Sequence, residues 1–160
     1  MEIKIKESKM GRQHFYLLIG LILLFMSCNQ NRVYEDYQGM ETQSWNIDDT
    51  VSFKINQGLN FDKTVFIFKY NNEYEYRNLY IRYILEDSLG VEIESRLINV
   101  PLFESTTGKP LGKGYGNTFS FFDTLPINNE IGFHQIHFIQ YMRVDNLKGI
   151  EAIGLKLIKN

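Results

Sequence analysis

The chain has 160 residues, a formal net charge of −2 and 14% aromatic residues, which suits one domain with a sizeable core rather than several. Its charges are scattered and mildly acidic, excluding the basic face of a nucleic-acid binder. One cysteine, Cys28, excludes an internal disulfide framework, and no repeat or low-complexity stretch marks a solenoid or a disordered chain.

The first element is a leader. Lys4, Lys6, Lys9 and Arg12 precede an apolar run that ends at Met26, followed by Ser27 and Cys28. A basic start, a short greasy core and a small residue before the cut are the features of a secretory signal peptide. The run from Phe15 to Met26 is too short for a transmembrane helix, which needs roughly 20 residues. A cysteine directly after the cut resembles the bacterial lipobox, although Phe25 and Met26 depart from its usual residues. That resemblance implies cleavage of residues 1–27 and lipid on the sulfur and amine of Cys28. The thiol is then consumed, which removes the liability of an unpaired cysteine in an exported chain. Without the leader, 133 residues remain, with 13 basic and 17 acidic side chains and a net charge of −4. Residues 28–43 read as a tether, in which Val33, Tyr34 and Tyr37 can form a first strand. A flexible tether would let residues 44–160 stand off the membrane.

From residue 44 onward the dominant period is two, the signature of half-buried strands. Val51, Phe53 and Ile55 alternate with Ser52 and Lys54, and Asn56-Gln57-Gly58 breaks the pattern. Val65-Phe66-Ile67-Phe68-Lys69-Tyr70 predicts a strand buried on both faces. Leu79, Ile81, Tyr83 and Leu85 share one face, with Arg82 and Glu86 on the other. Asp87-Ser88-Leu89-Gly90 predicts a hairpin loop. Val91, Ile93 and Leu97 are expected to continue inward, with Glu92, Glu94 and Arg96 in water. A glycine-rich loop follows through Gly108, Gly112, Gly114 and Gly116, then a strand from Thr118 to Phe122. His134, Ile136, Phe138 and Gln140 alternate with Gln135, His137, Ile139 and Tyr141. After a turn at Asn146-Leu147-Lys148-Gly149, Ile153, Leu155 and Leu157 define the last strand. About seven or eight evenly spaced strands with little helix predict an all-β antiparallel β-sandwich, with a barrel as the alternative.

Motifs for chemistry are scarce. His134 and His137 stand three apart, and on a strand they point to opposite faces, so one metal does not bind both; no metal site is expected. The glycine loop lacks the G-x-x-x-x-G-K-[ST] spacing of a phosphate cradle. It suits a bent strand where backbone meets backbone, or a contact loop reaching out with Lys109, Lys113 and Tyr115. Asp48-Asp49 and Glu86-Asp87 are adjacent and diverge, and no G-x-S-x-G is present. No enzyme and no cofactor beyond the Cys28 lipid are expected. Tyr74 and Tyr76 could stack on a sugar, which makes a surface glycan-binding module the alternative function.

Four groups of residues resemble the gliding-motility lipoprotein GldH family of the Bacteroidetes. They are Tyr34 with Trp45 and Val51-Ser52-Phe53; Tyr76-Arg77-Asn78-Leu79; Gly112-Lys113-Gly114-Tyr115-Gly116, which carries Lys113 and Tyr115 where many members are expected to have a Trp; and the tail. The tail comprises Gln140-Tyr141-Met142-Arg143, Leu147-Lys148-Gly149-Ile150 and Ile153-Gly154-Leu155. The resemblance implies a non-catalytic cell-envelope lipoprotein needed for gliding motility or the associated secretion of adhesins. It would be held by lipid, at the outer rather than the inner membrane, and act through contacts with other gliding or secretion proteins. At the matching positions, Arg143 can pair with Asp145 or Glu151 or present a contact. Asn78 can bond turn backbone, and Gly154 suits a close strand crossing.

Overall fold

The computed structural model describes Tyr16 and residues 31–56, 58–128 and 132–159. The chain divides into two compact units, residues 1–30 and 31–160, and among the described residues every strand belongs to the second. Cys28 and, but for Tyr16, the predicted signal peptide lie outside the described residues. Eleven strands follow in order: β1 (Arg32–Gly39), β2 (Ser44–Asn46), β3 (Thr50–Lys54), β4 (Lys63–Asn71), β5 (Asn78–Glu86), β6 (Glu92–Pro101), β7 (Lys113–Tyr115), β8 (Thr118–Thr124), β9 (Gln135–Gln140), β10 (Asn146–Lys148) and β11 (Ile150–Ile158).

They form a five-stranded sheet, β1-β11-β4-β8-β7, a four-stranded sheet, β3-β9-β5-β6, and the small pair β10-β2. Every pairing is antiparallel. Both larger sheets keep open edges, β1 and β7 on one and β3 and β6 on the other, so the fold is the sandwich and not the barrel.

Alternation explains which side chains fill the middle. Leu79, Ile81, Tyr83 and Leu85 of β5, with Ile136 and Phe138 of β9, face Phe66, Phe68 and Tyr70 of β4 and Ile153, Leu155 and Leu157 of β11 in one core. Its rings interlock: Trp45 stacks on Phe68 at 6.4 Å, and Phe53 meets Phe138 edge-on at 6.1 Å. Ile67 points the other way, outside this core, yet is 1% exposed. The strand read as buried on both faces is so at Ile67, while Lys69 is exposed.

One sequence option is realised and one expectation changes. Half of the stretch read as a tether, Arg32–Gly39, is strand β1, the first strand that Val33, Tyr34 and Tyr37 allowed, paired with β11 from Arg32↔Ile158 to Gly39↔Ala152. The polarity of Arg32, Glu35, Asp36 and Gln38 suits an edge strand, where one side of the ladder stays in water. The change is in the facing of β6. Leu85 pairs with Glu94, Tyr83 with Arg96 and Arg82 with Leu97, so Glu94 and Arg96 share the core-side face and Leu97 is exposed outside. The rim of the sandwich satisfies both charges. Glu94 accepts a 2.5 Å hydrogen bond from the Tyr83 hydroxyl and pairs with Arg96 at 3.2 Å, and Arg96 donates to the Pro126 carbonyl. Burial first, then Glu94, pushes the Tyr83 phenol well above its ordinary value.

Candidate functional site: an aromatic groove beside Arg143

The site is built around a turn. Gln140 ends β9 on the core side and is 1% exposed. Its Nε2 donates to the Val144 carbonyl at 2.7 Å, and its Oε1 accepts from the Met142 N–H at 2.9 Å. Clamped on both sides, the turn holds Arg143 at φ +60°, a region that side chains other than glycine rarely adopt. Tyr141 and Arg143 are thereby thrown to the outside, while Met142 stays half-buried against the edge of the core. The Tyr141 N–H bonds the Tyr80 carbonyl at 2.8 Å, and the Tyr80 N–H meets Met142 Sδ at 3.1 Å, which fastens the turn to β5.

Around it lies a depression of about 450 Å³ lined by Tyr76, Asn78, Tyr80, Leu97, Tyr141, Met142 and Arg143. Tyr76, Tyr80, Leu97 and Tyr141 are each 37–47% exposed, a cluster of half-wet side chains on one sheet face. The Arg82 guanidinium lies 5.0 Å above the Tyr141 ring, a cation–π contact that pre-positions the charge. Asn78 Nδ2 donates to Asn99 Oδ1 at 2.6 Å, and the Asn78 carbonyl accepts from the Tyr74 hydroxyl. Burial holds the Tyr74 phenol protonated far above its ordinary range.

Tyr76 and Asn78 therefore meet Met142 and Arg143 here, although more than 60 residues separate them in the chain. The other sequence candidates lie elsewhere. Leu79 and Trp45 are fully buried, and Trp45 Nε1 donates to the Asp49 carbonyl at 2.9 Å; both are core and cannot reach a partner. Gly112 lies just before β7, Lys113, Gly114 and Tyr115 form it, and Gly116 begins its turn to β8. A Cβ on Gly112 would stand 2.9 Å from the Ser120 carbonyl carbon, and one on Gly114 2.0 Å from the Thr118 carbonyl oxygen, so these glycines permit close backbone approach. Lys113 and Tyr115 are exposed at that edge. Gly154 lies on the outer face of β11 under the Tyr37 ring. Arg143 pairs with neither Asp145 nor Glu151. Glu151 faces Lys69 at 3.6 Å and accepts from Asn71 and Thr118. Tyr74 is 4% exposed and is withdrawn from any sugar-stacking role.

Sequence reading missed Tyr80, Arg82, Leu97 and Tyr141 as a unit. The available signal was an aromatic residue on the outward register of β5 and another at the end of β9. It also missed a polar row. Ser52 Oγ lies 2.7 Å from His137 Nδ1, and His137 Nε2 lies 3.1 Å from Glu86 Oε2 without hydrogen-bond alignment. Hydroxyl and acid have exchanged the nitrogens they use in a hydrolase triad. The serine also sits in a flat strand rather than a sharp elbow. The row is a cross-strand contact between β3, β9 and β5. Among the described residues no three metal-ligating side chains cluster.

These features define an antiparallel β-sandwich domain that carries an aromatic, arginine-flanked groove on one sheet. The GldH lipoprotein family model matches residues 32–157, from the first strand to the last, and the chain belongs to that family. It is 27% identical to a gliding motility lipoprotein GldH homolog of Christiangramia forsetii, over 91% of this chain and 94% of that protein. No solved structure matches the chain.

Proposed function

We propose that this chain is a non-catalytic lipoprotein of the cell envelope that supports gliding motility or its associated protein secretion, through protein contacts made at the Tyr141–Arg143 groove. Lipid on Cys28 would hold it to the outer membrane. The carrying observation is the convergence of two family-like segments, Tyr76 to Asn78 and Tyr141 to Arg143, on one exposed depression. Tyrosine and arginine are among the side chains that dominate binding at protein interfaces. Arg143, held in an unfavourable backbone region by a buried clamp, fits strain retained at a functional position.

Complementation of a deletion strain tests this. The wild-type chain restores surface spreading; a Tyr141→Ala, Arg143→Glu double variant accumulates in the envelope and does not. Full spreading with the double variant would remove the groove from the mechanism. A Cys28→Ala variant is expected to leave the membrane fraction and fail to complement.

Three half-exposed tyrosines in one depression also favour a second reading, a surface glycan-binding module. Saturable binding on a glycan array, lost on Tyr76→Ala or Tyr141→Ala, would select it; silence across the array would leave the protein-contact reading.

A further inference from the structure

The proposed lipid on Cys28, on which the orientation of the domain rests, has a geometric consequence. Strand β1 begins at Arg32, and the carbonyl of Asn31 already accepts from the Lys159 N–H at 2.7 Å. Only Asn29 and Gln30 separate Cys28 from this fixed point, and three fully extended residue steps span about 10 Å. The sandwich end carrying Asn31 is thus confined to the neighbourhood of the lipid surface.

That end can be traced from the pairings. Arg32, Ile158 and Lys63 share one register row, and the segment 55–62 leads from the end of β3 to the start of β4. Asp87 and Ser88 of the β5–β6 hairpin line one depression with Ile55, Leu59 and Phe61 of that segment, so the hairpin tip lies at the same end. The tip carries Leu89, 85% exposed, and Val91, 58% exposed. An aliphatic side chain so bare at a hairpin tip is not needed by the turn. The turn is held by Gly90 at φ +77° and by Asp87 Oδ1, which accepts from the Leu89 and Val91 N–H groups. Lys54, Lys63 and Lys159 are exposed at this end too. Of the acids there, Asp87 is engaged in the turn, Glu86 faces His137, Asp62 bonds the Ile158 carbonyl through its backbone, and Glu92 is exposed.

We infer that this end of the sandwich rests on the bilayer, with Leu89 and Val91 seated at the lipid interface beside the anchored N-terminus. Apolar side chains at an interface, a few lysines and a covalent lipid are the combination that holds a protein on a membrane without spanning it. The consequence is directional. The Tyr141–Arg143 groove lies at the opposite end of β5, roughly 25 Å along the strand, and faces partners rather than lipid.

The test uses the full-length protein, purified in its membrane-bound form and reconstituted in vesicles of phosphatidylethanolamine and phosphatidylglycerol. Cys28 is the chain's only cysteine, so a thiol-reactive fluorophore on Leu89→Cys or Tyr115→Cys labels one site. Tyr115, the last residue of β7, is 97% exposed and pairs with Thr118, which pairs with Asn71 at the far end of β4. With a quencher attached high on the lipid acyl chain, the probe at position 89 is expected to lose most of its emission and the probe at 115 almost none. Equal emission at both positions, on protein whose Cys28 peptide carries the mass of lipid, overturns this orientation and leaves the anchor standing. A Cys28 peptide without lipid overturns the anchor reading, and the orientation with it.

Discussion

The ring of Tyr37 lies over Gly154: a Cβ added at Gly154 would stand 2.5 Å from Tyr37 Cε1, 2.6 Å from Cδ1 and 3.2 Å from Ile67 Cβ. Tyr37, Gly154 and Ile67 are register partners on β1, β11 and β4. An aromatic side chain laid across a strand glycine replaces the packing that the glycine lacks, and here it keeps Ile67 dry. Gly154→Ala must push the ring aside and is expected to destabilise by about 1–2 kcal/mol, the low part of the overpacking range. Gly149→Ala is expected to cost more. Its Cβ would stand 2.3 Å from the Tyr74 backbone nitrogen, and its φ is +80°, so neither space nor backbone permits a side chain. Urea unfolding of the two variants checks the order; a Gly149→Ala protein as stable as Gly154→Ala would contradict it.

Gln140 supports a second expectation. Gln140→Leu preserves bulk but strips a partner from the Met142 N–H and the Val144 carbonyl at once. Losing two hydrogen bonds at a buried side chain should cost about 2–3 kcal/mol. The urea midpoint should fall with an unchanged slope, which marks a loss of stability rather than a changed denatured state. A variant as stable as wild type would mean that the turn holds itself.

Much of this architecture was legible because β5, β9 and β11 bury one face of a clean alternation. Leu79, Ile81, Tyr83 and Leu85 had no other arrangement that removes them from water. The facing of β6 was not legible, since Glu94 and Arg96 look solvated until the Tyr83 hydroxyl and the Pro126 carbonyl are known to wait at the rim. Strand β1 was legible only as an option, because an edge strand buries too little to enforce a strong pattern. The groove was half legible. Tyr76, Asn78, Met142 and Arg143 stood out as motif residues, but the pairing of Arg82 with both Leu97 and Ile139 is what gathers Tyr80, Leu97 and Tyr141 around them. That pairing is a property of the sheet, not of any local stretch.

Alkaline pH should expose the two hydrogen-bonded phenols. Burial, and then the hydrogen bond to Glu35, raises the Tyr37 phenol to about 12, and Tyr83 is raised in the same direction by burial and Glu94. In the unfolded chain both ionise near pH 10. Above that pH the unfolded state binds fewer protons than the folded one, so stability falls as pH rises. The contribution is full below about pH 10 and, for Tyr37, gone by about pH 12. Tyr37→Phe keeps the ring on Gly154 and removes the ionisable group. Its stability should therefore decline less steeply than wild type between pH 10 and pH 12, followed by thermal unfolding. Parallel profiles would show that Tyr37 does not hold its proton through that interval.

Arg143 allows stability and function to be separated. Its φ of +60° is costly for a residue with a Cβ and free for glycine. Its side chain is exposed, and among the described residues it joins no ion pair that its loss would break. Arg143→Gly is therefore expected to be no less stable than wild type, and by up to about 1 kcal/mol more so. If the guanidinium is what the groove offers to a partner, the same variant should fail to restore spreading in a deletion strain while reaching normal levels in the envelope. Arg143→Lys should rescue poorly, because a lysine keeps the charge but not the planar fork of donors. A more stable, inactive glycine variant would mean that the strained turn is kept for binding; a stable and fully active one would mean that Tyr141 and its neighbours carry the contact without Arg143.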